Sequence, residues 1–528
     1  MMTEDFVYPS ARSPAPVAVA SEGAKGPFDR SSGILLHPTS LPGPFGSGDF
    51  GDDARQFVDW LVGAGQRLWQ VLPMTPPGPG HSPYMSTSIH AGNPLLVSPV
   101  ELQREGLLDP AALDAAARRV GGASSRIDFD AVDRLRMGLL RQAAQAFFDD
   151  GKASADQRRA FAEWCEQHAD WVDDYALFMA LAESPLGPRW ANWPEPLRRR
   201  DPQALRDAVR DHAPQMRFWR FVQWCFDRQW QAIKRHANER GVRLIGDVPI
   251  FCALDSVDVW VDPDLFLLDE NLQPSFVAGV PPDYFSATGQ LWGNPLYDWP
   301  RHAADGFRWW KARMSTMLRQ ADIVRIDHFR GLVAYWEIPA GAPTAIDGRW
   351  VPGPGAPFFE ALRDALGGLP IIAEDLGSIT PDVFALRDQM GLPGMCVLQF
   401  AFGDDARNLY LPHNLKPDCV VYTGTHDNDT TQGWFASAVD AERRFAQVYL
   451  KTDGREIHWD LIHAASQSVA RLAITPMQDV LGLGTEARMN VPGQADGNWG
   501  WRFGWDQVQG WQAERLRAIG IVHGRAGG

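Results

Sequence analysis

The sequence predicts an α/β fold, a closed (β/α)8 TIM barrel carrying a large, mainly helical insertion between its early strands and no separate C-terminal β domain. Three observations lead there. Eight short apolar runs are spread along the chain, as parallel strands buried on both faces require. Segments long enough for helices separate them, and strands alternating with helices form parallel sheets. Several runs end in charged residues, where a barrel of this kind projects its reacting groups.

Composition sets the outer bounds. At 528 residues, with 45% apolar and 22% charged residues, the chain can bury an ample core, and disordered, collagenous and fibrous classes are excluded. Lys and Arg number 50 against 65 Asp and Glu, a net charge of −15. Such a chain repels phosphate backbones and anionic lipid, and its longest basic cluster, Arg198-Arg199-Arg200, is followed at once by Asp201. No nucleic-acid or membrane partner is expected. Five cysteines without a C-x-x-C pair argue against a disulfide framework or a cysteine metal site. The N-terminal segment holds Glu4 and Asp5 with no apolar signal core, and no uncharged stretch approaches a membrane span. A cytoplasmic location is expected.

The elements follow in order. Residues 1–30 are rich in Pro, Ser and Ala without periodicity and read as a disordered tail, and 31–528 read as the barrel. The first strand is centred on Ile34-Leu35-Leu36, and an amphipathic helix follows at 54–65, with Phe57, Trp60 and Leu61 on one face. Residues 68–72 form the second strand. The alternation then stops at about 100–235, where Phe161, Trp164, Cys165, His168, Trp171, Val172 and Tyr175 recur at helical spacing. Trp219, Val222, Phe226, Trp230 and Ile233 do the same. These stripes are helix core rather than a cofactor box, so the interval is an insertion ending in a crossover helix. Strands resume at 242–248, 322–326, 370–373, 395–400, 419–423 and 473–480. Helices are expected at 358–366 and 381–390, and a last one near 507–519 closes the ring.

The strand ends carry the chemistry. Asp247, Asp327, Glu374 with Asp375, and His426 with Asp427 all sit at the C-terminal edges of apolar runs. One such carboxylate is usually a helix cap; four on one rim point to function. The chain offers no metal-type His/Cys cluster, no G-x-S-x-G, no Walker loop and no G-x-G-x-x-G after a strand. Carboxylates without a metal suit glycosidic bond chemistry, in which one stays ionised and another delivers a proton. Arg325, two residues before Asp327 on the same strand face, is expected to keep that carboxylate ionised. Glu374 follows three apolar residues, and burial is expected to raise its pKa toward that of a general acid. The chain has 22 Trp against 9 Tyr, and indole faces also suit stacking on sugar rings.

Ile326-Asp327-His328-Phe329-Arg330-Gly331, Ala373-Glu374-Asp375-Leu376-Gly377 and Thr425-His426-Asp427-Asn428-Asp429-Thr430 resemble the catalytic segments of a known family. This family is the 4-α-glucanotransferases (amylomaltases, or disproportionating enzymes) of glycoside hydrolase family 77, related to the α-amylases. His37-Pro38-Thr39-Ser40-Leu41-Pro42, Ser82-Pro83-Tyr84, the long loop 279–299 and Gly497-Asn498-Trp499 extend the resemblance over about residues 30–505. It implies a retaining transfer of α-1,4-glucan segments to the 4-hydroxyl of an acceptor glucan, glucose or maltose, without metal or cofactor. Asp327 would be the nucleophile, Glu374 the acid/base and Asp427 the carboxylate that stabilises the transition state. Tyr84, Ser82, Asp247, Asp283, Gln290, Trp292, Arg325, His426 and Asn490 would bind substrate, and 279–299 would act as a lid loop over the cleft. Two departures stand out: Gly78-Pro79-Gly80-His81 replaces a stretch expected to hold Tyr and Asp, and Cys396 replaces an expected Lys or Arg. The alternative activity is an α-amylase-like retaining hydrolase of α-1,4-glucans with the same three acids, which normally appends an antiparallel C-terminal domain.

Overall fold

The computed structural model describes residues 28–120, 124–149, 151–282 and 286–526. Apart from residues 28–30, the expected N-terminal tail lies outside them. The described strands, in chain order, are β1 (Ser31–Leu35), β2 (Leu68–Gln70), β3 (Arg243–Val248), β4 (Phe276–Val280), β5 (Gln290–Pro295) and β6 (Ile323–Ile326). They continue as β7 (Ala334–Pro339), β8 (Arg349–Pro352), β9 (Ile371–Ala373), β10 (Gly394–Val397), β11 (Cys419–Tyr422) and β12 (Leu472–Pro476).

Eight of them make one sheet in the order β10-β11-β12-β1-β2-β3-β6-β9, every neighbour parallel. Its two ends meet where the Ala373 N–H donates to the Pro393 carbonyl at 2.9 Å, closing the barrel. Each strand matches one of the apolar runs. The boundaries moved where local chemistry intervenes: Pro476, which cannot donate to a ladder, ends β12, and the rest of that run turns into the helix Met477–Leu481. Packing is tight at Gly33 on β1, where a Cβ would stand 2.3 Å from both the Cβ and the carbonyl oxygen of Leu68. The Gly33→Ala variant is therefore expected to lose about 3 kcal/mol or more by forcing β1 and β2 apart. Denaturant unfolding would read this, and a wild-type midpoint would refute it.

Between β2 and β3 the chain is helical from Pro99–Arg104 to Ala213–Glu239. The last of these helices has 27 residues, about 40 Å of rise, and buries Trp219, Val222, Phe226, Trp230 and Ile233 on one side. The Trp230 indole N–H reaches the Gln320 carbonyl at 2.9 Å, pinning this crossover to the barrel wall. The Phe161 stripe is divided at His168 into Ala155–Gln167 and Ala169–Ala182, the first opened by a capping box between Ser154 and Gln157.

Sequence reasoning missed a second sheet. Strands β5-β4-β7-β8 form a four-stranded antiparallel layer outside the barrel. The segment 279–299, expected as a lid loop, contains the end of β4 and all of β5. Below the barrel, Arg525 is buried and donates to the carbonyls of Ser31, Ala465, Ser466, Ser468, Ala470 and Arg471, stitching the start of β1 to the approach to β12. Among the described residues no strand follows β12, the chain continues to the helix Gly510–Val522, and no helix is long and apolar enough to cross a membrane.

Candidate active site

Strands β3, β6 and β9 are neighbours, and their register sets Asp247 opposite Arg325 and Ile326 opposite Ala373. Asp247, Asp327 and Glu374 therefore leave adjacent strands at the same C-terminal edge. Backbone bonds hold that edge: the Asp327 N–H donates to Val248 at 2.9 Å and the Glu374 N–H to Ile326 at 3.1 Å. His426 and Asp427 follow β11 across the mouth.

Arg325 is the hub. Its Nη1 donates to both Asp247 oxygens at 2.7 Å, and its Nη2 donates to Asp327 Oδ1 at 2.9 Å. The Tyr84 hydroxyl donates to Asp247 Oδ2 at 2.7 Å and lies 2.9 Å from His426 Nε2. With its one proton given to Asp247, the Tyr84 oxygen must accept from His426, so His426 carries its proton on Nε2. Burial lowers the His426 pKa, which keeps the ring neutral. The Tyr84 and His426 rings stack at 5.3 Å and 14°, and Trp499 leans on both at 5.7 and 6.0 Å. Trp499 was not among the expected site residues.

Glu374 is raised by burial, as the sequence leads one to expect, and Asp327 is the carboxylate that departs from expectation. Burial pushes Asp327 up to about 8; Arg325 pulls it down, and the like charges of Asp247, Glu374 and Asp427 push it further up. Arg325 does favour the ionised form of Asp327, as expected, but its Nη1 is committed to Asp247, and burial with the surrounding carboxylates outweighs its pull. Glu374 is raised as well, first by burial, against the pull of Arg325 and of two backbone N–H groups. Acidic groups this close titrate as a set, so the mouth retains a shared proton into the neutral range.

Glu374 is held by backbone alone: Oε2 accepts from the His328 N–H at 2.7 Å and Oε1 from the Leu376 N–H at 3.0 Å. His328 can donate in this direction because its backbone is left-handed, with φ 52° and ψ 49°. A β-carbon in that region costs energy and persists where surrounding structure enforces it. Glu374 is thereby tied to the residue next to Asp327.

Asp427 has its own bracket. Asn490 Nδ2 donates to Asp427 Oδ1 at 2.6 Å, and the Asn490 N–H donates to the His426 carbonyl at 3.0 Å. Arg488, whose spacing suggests an ion pair with Glu486 as readily as a site, instead donates to the carbonyls of Asp427 at 2.6 Å and Asn490 at 2.8 Å. Glu486 accepts from the Gly484 N–H.

The remaining expected residues are placed unequally. The Tyr84 N–H donates to the Ser82 hydroxyl oxygen at 3.3 Å, so Ser82 shapes the turn that presents Tyr84. Gln290 Oε1 accepts from the Trp292 indole at 3.1 Å, and the Trp292 ring meets His328 edge-on at 4.9 Å. The small sheet thus reaches the residue beside Asp327. Asp283 lies outside the described residues. In the altered 78–81 stretch, His81 stacks on Phe129 at 4.3 Å. Among the described residues, no three His, Cys, Asp or Glu side chains are grouped to hold a metal.

A family model described as 4-alpha-glucanotransferase matches residues 36–506. The chain is 49% identical over 501 residues to a 4-alpha-glucanotransferase of Thermus thermophilus, covering 93% of this chain and 98% of that one. To the chloroplastic/amyloplastic 4-alpha-glucanotransferase of Solanum tuberosum it is 43% identical over 505 residues, 94% of this chain and 86% of that one. The solved amylomaltase from Streptococcus agalactiae in complex with acarbose superposes with a TM-score of 0.91 at 36% identity, covering 94% and 100% of the two chains.

Proposed function

The chain belongs to glycoside hydrolase family 77, the 4-alpha-glucanotransferases, and from that membership we propose how its rim residues move a glucan. Its activity is 4-α-glucanotransfer, the name its relatives carry, rather than the hydrolysis that the same three acids also permit.

The observation that carries the reading is the Arg325 hub, which brings one arginine onto Asp247 and Asp327 beside a backbone-held Glu374. For the reaction, the proton that the free mouth shares moves to Glu374 and leaves Asp327 ionised beside the Arg325 guanidinium when a donor α-1,4-glucan binds. Glu374 gives it to the glycosidic oxygen while Asp327 attacks the anomeric carbon, the bond to the leaving glucan breaks, and the donor segment remains as an ester on Asp327. Glu374, now ionised, takes the proton from the 4-hydroxyl of an acceptor, whose oxygen displaces Asp327 with a second inversion. Maltooligosaccharides and amylose serve as donors, and glucose, maltose or a longer glucan as acceptor. Asp427, braced by Asn490, and His426 hold the hydroxyls of the reacting sugar, with the Tyr84 ring beneath it. Ser82, Gln290, Trp292 and Asp283 serve the glucan around that sugar. Transfer wins over hydrolysis only if water is kept from the ester, and the segment bearing Trp292 is the cover we assign to that task. Free thiols at Cys165, Cys225, Cys252, Cys396 and Cys419 agree with a reducing compartment, and we place the enzyme in the cytoplasm.

Incubation with pure maltotriose tests the reading. Transfer produces glucose together with longer oligomers while the total number of reducing ends stays constant. A rise of one reducing end per bond cleaved would make the protein a hydrolase.

A further inference from the structure

One face of the antiparallel sheet, covered in its middle where Val277 and Ile338 pack against Ala345, carries residues that the mechanism above does not use. Its register pairs Trp350 on β8 with Trp336 on β7, Trp336 with Gly279 on β4, and Gly279 with Leu291 on β5. Directly paired residues project to one face, so these four form a row across the sheet. Trp292, the next residue along β5, projects to the opposite face, where it meets His328. The row is open at both ends: Trp350 is 37% and Leu291 43% exposed, while Trp336 is half-buried.

Trp350 is not a loose surface ring. The Arg330 guanidinium lies 3.8 Å from its ring centroid, and the Trp336 ring packs against it at 5.2 Å and 67°. Arg330 is itself buried, and its Nη1 donates to the Ser378 carbonyl at 2.6 Å and to Thr380 Oγ1 at 3.1 Å. Arg330 stands three residues after Asp327, and Ser378 and Thr380 belong to the loop that follows Glu374. An exposed indole is thus braced, through Arg330, by the two loops that carry the nucleophile and the acid/base.

We propose that Trp350, backed by Arg330, is a sugar-stacking platform that holds an α-1,4-glucan chain where it runs beyond the reacting bond. The occupant is a glucan because the apolar faces of successive glucose rings match a flat, braced indole, and because a polymeric substrate must leave the mouth over some part of its rim. This rests on the transfer reaction assigned above and names a place on the rim for the longer part of the same substrate.

The test compares donors of different length. In Trp350→Ala the ratio of kcat/KM for amylose to that for maltotriose should fall about tenfold, through KM, and Trp350→Tyr should restore most of it. A ratio equal to that of wild type overturns the platform. So does an equal loss on both donors accompanied by a lower melting temperature, which would reduce Trp350 to a brace for Arg330. If wild-type protein fails to redistribute maltotriose, the transfer reading falls; calorimetric titration of a long maltodextrin into wild type and Trp350→Ala then still decides the platform, since equal affinities exclude it.

Discussion

Asp327→Asn is expected to reduce turnover of any glucan donor by about four orders of magnitude or more, because no other side chain can form the ester that the second displacement consumes. The same substitution should leave the fold intact and make it less sensitive to pH. The folded-state pKa of Asp327, about 8, lies above the ordinary carboxyl value of about 3.9. Folding therefore takes up protons between about pH 4 and 8, and stability falls across that window as pH rises. Asn has no proton to gain, so the variant's melting temperature should decline less steeply from pH 4 to 8 than that of the wild type. Near-normal turnover in the variant would remove Asp327 from the chemistry, and identical pH slopes would place the strained proton elsewhere.

Glu374→Gln should behave differently with two kinds of donor. With maltooligosaccharides, where the leaving oxygen needs a proton, the rate should fall by about 10³-fold. With α-glucosyl fluoride the leaving group departs unaided, so Asp327 is still glycosylated; the acceptor then lacks its base, and the ester accumulates. Intact-protein mass spectrometry should show an added glucosyl mass that maps to the peptide containing Asp327. Rates that fall equally for both donors, with no adduct, would assign the acid/base role to another residue.

How much of this was legible beforehand follows physical lines. The barrel strands were readable because parallel strands covered on both faces have no polar alternation to confuse with a helix or a loop. The rim acids were readable for the complementary reason that charges at the ends of apolar runs need an explanation. The small sheet was not readable: β4 and β5 lie in a Gly- and Pro-rich stretch, and β7 and β8 mix Glu337 and Arg349 with aromatics, as half-exposed strands do. Relations across strands also escaped. Arg325 and Asp327 are two apart in sequence, but Asp247, which takes half of the guanidinium, comes from another strand. Nothing in the identity of His328 announces a left-handed backbone, and Arg488 suggested Glu486 as its partner only because the two are close along the chain.

The stitching of β1 to β12 has a consequence for synthesis. These two strands are adjacent in the ring yet begin at Ser31 and Leu472. At about 5 to 20 residues per second, a ribosome needs roughly 20 to 90 s to deliver the second after the first. For that interval the nascent chain carries an apolar strand with one edge unmet, and the half-built cylinder must be shielded by its own insertion helices or by chaperones until the last partner emerges.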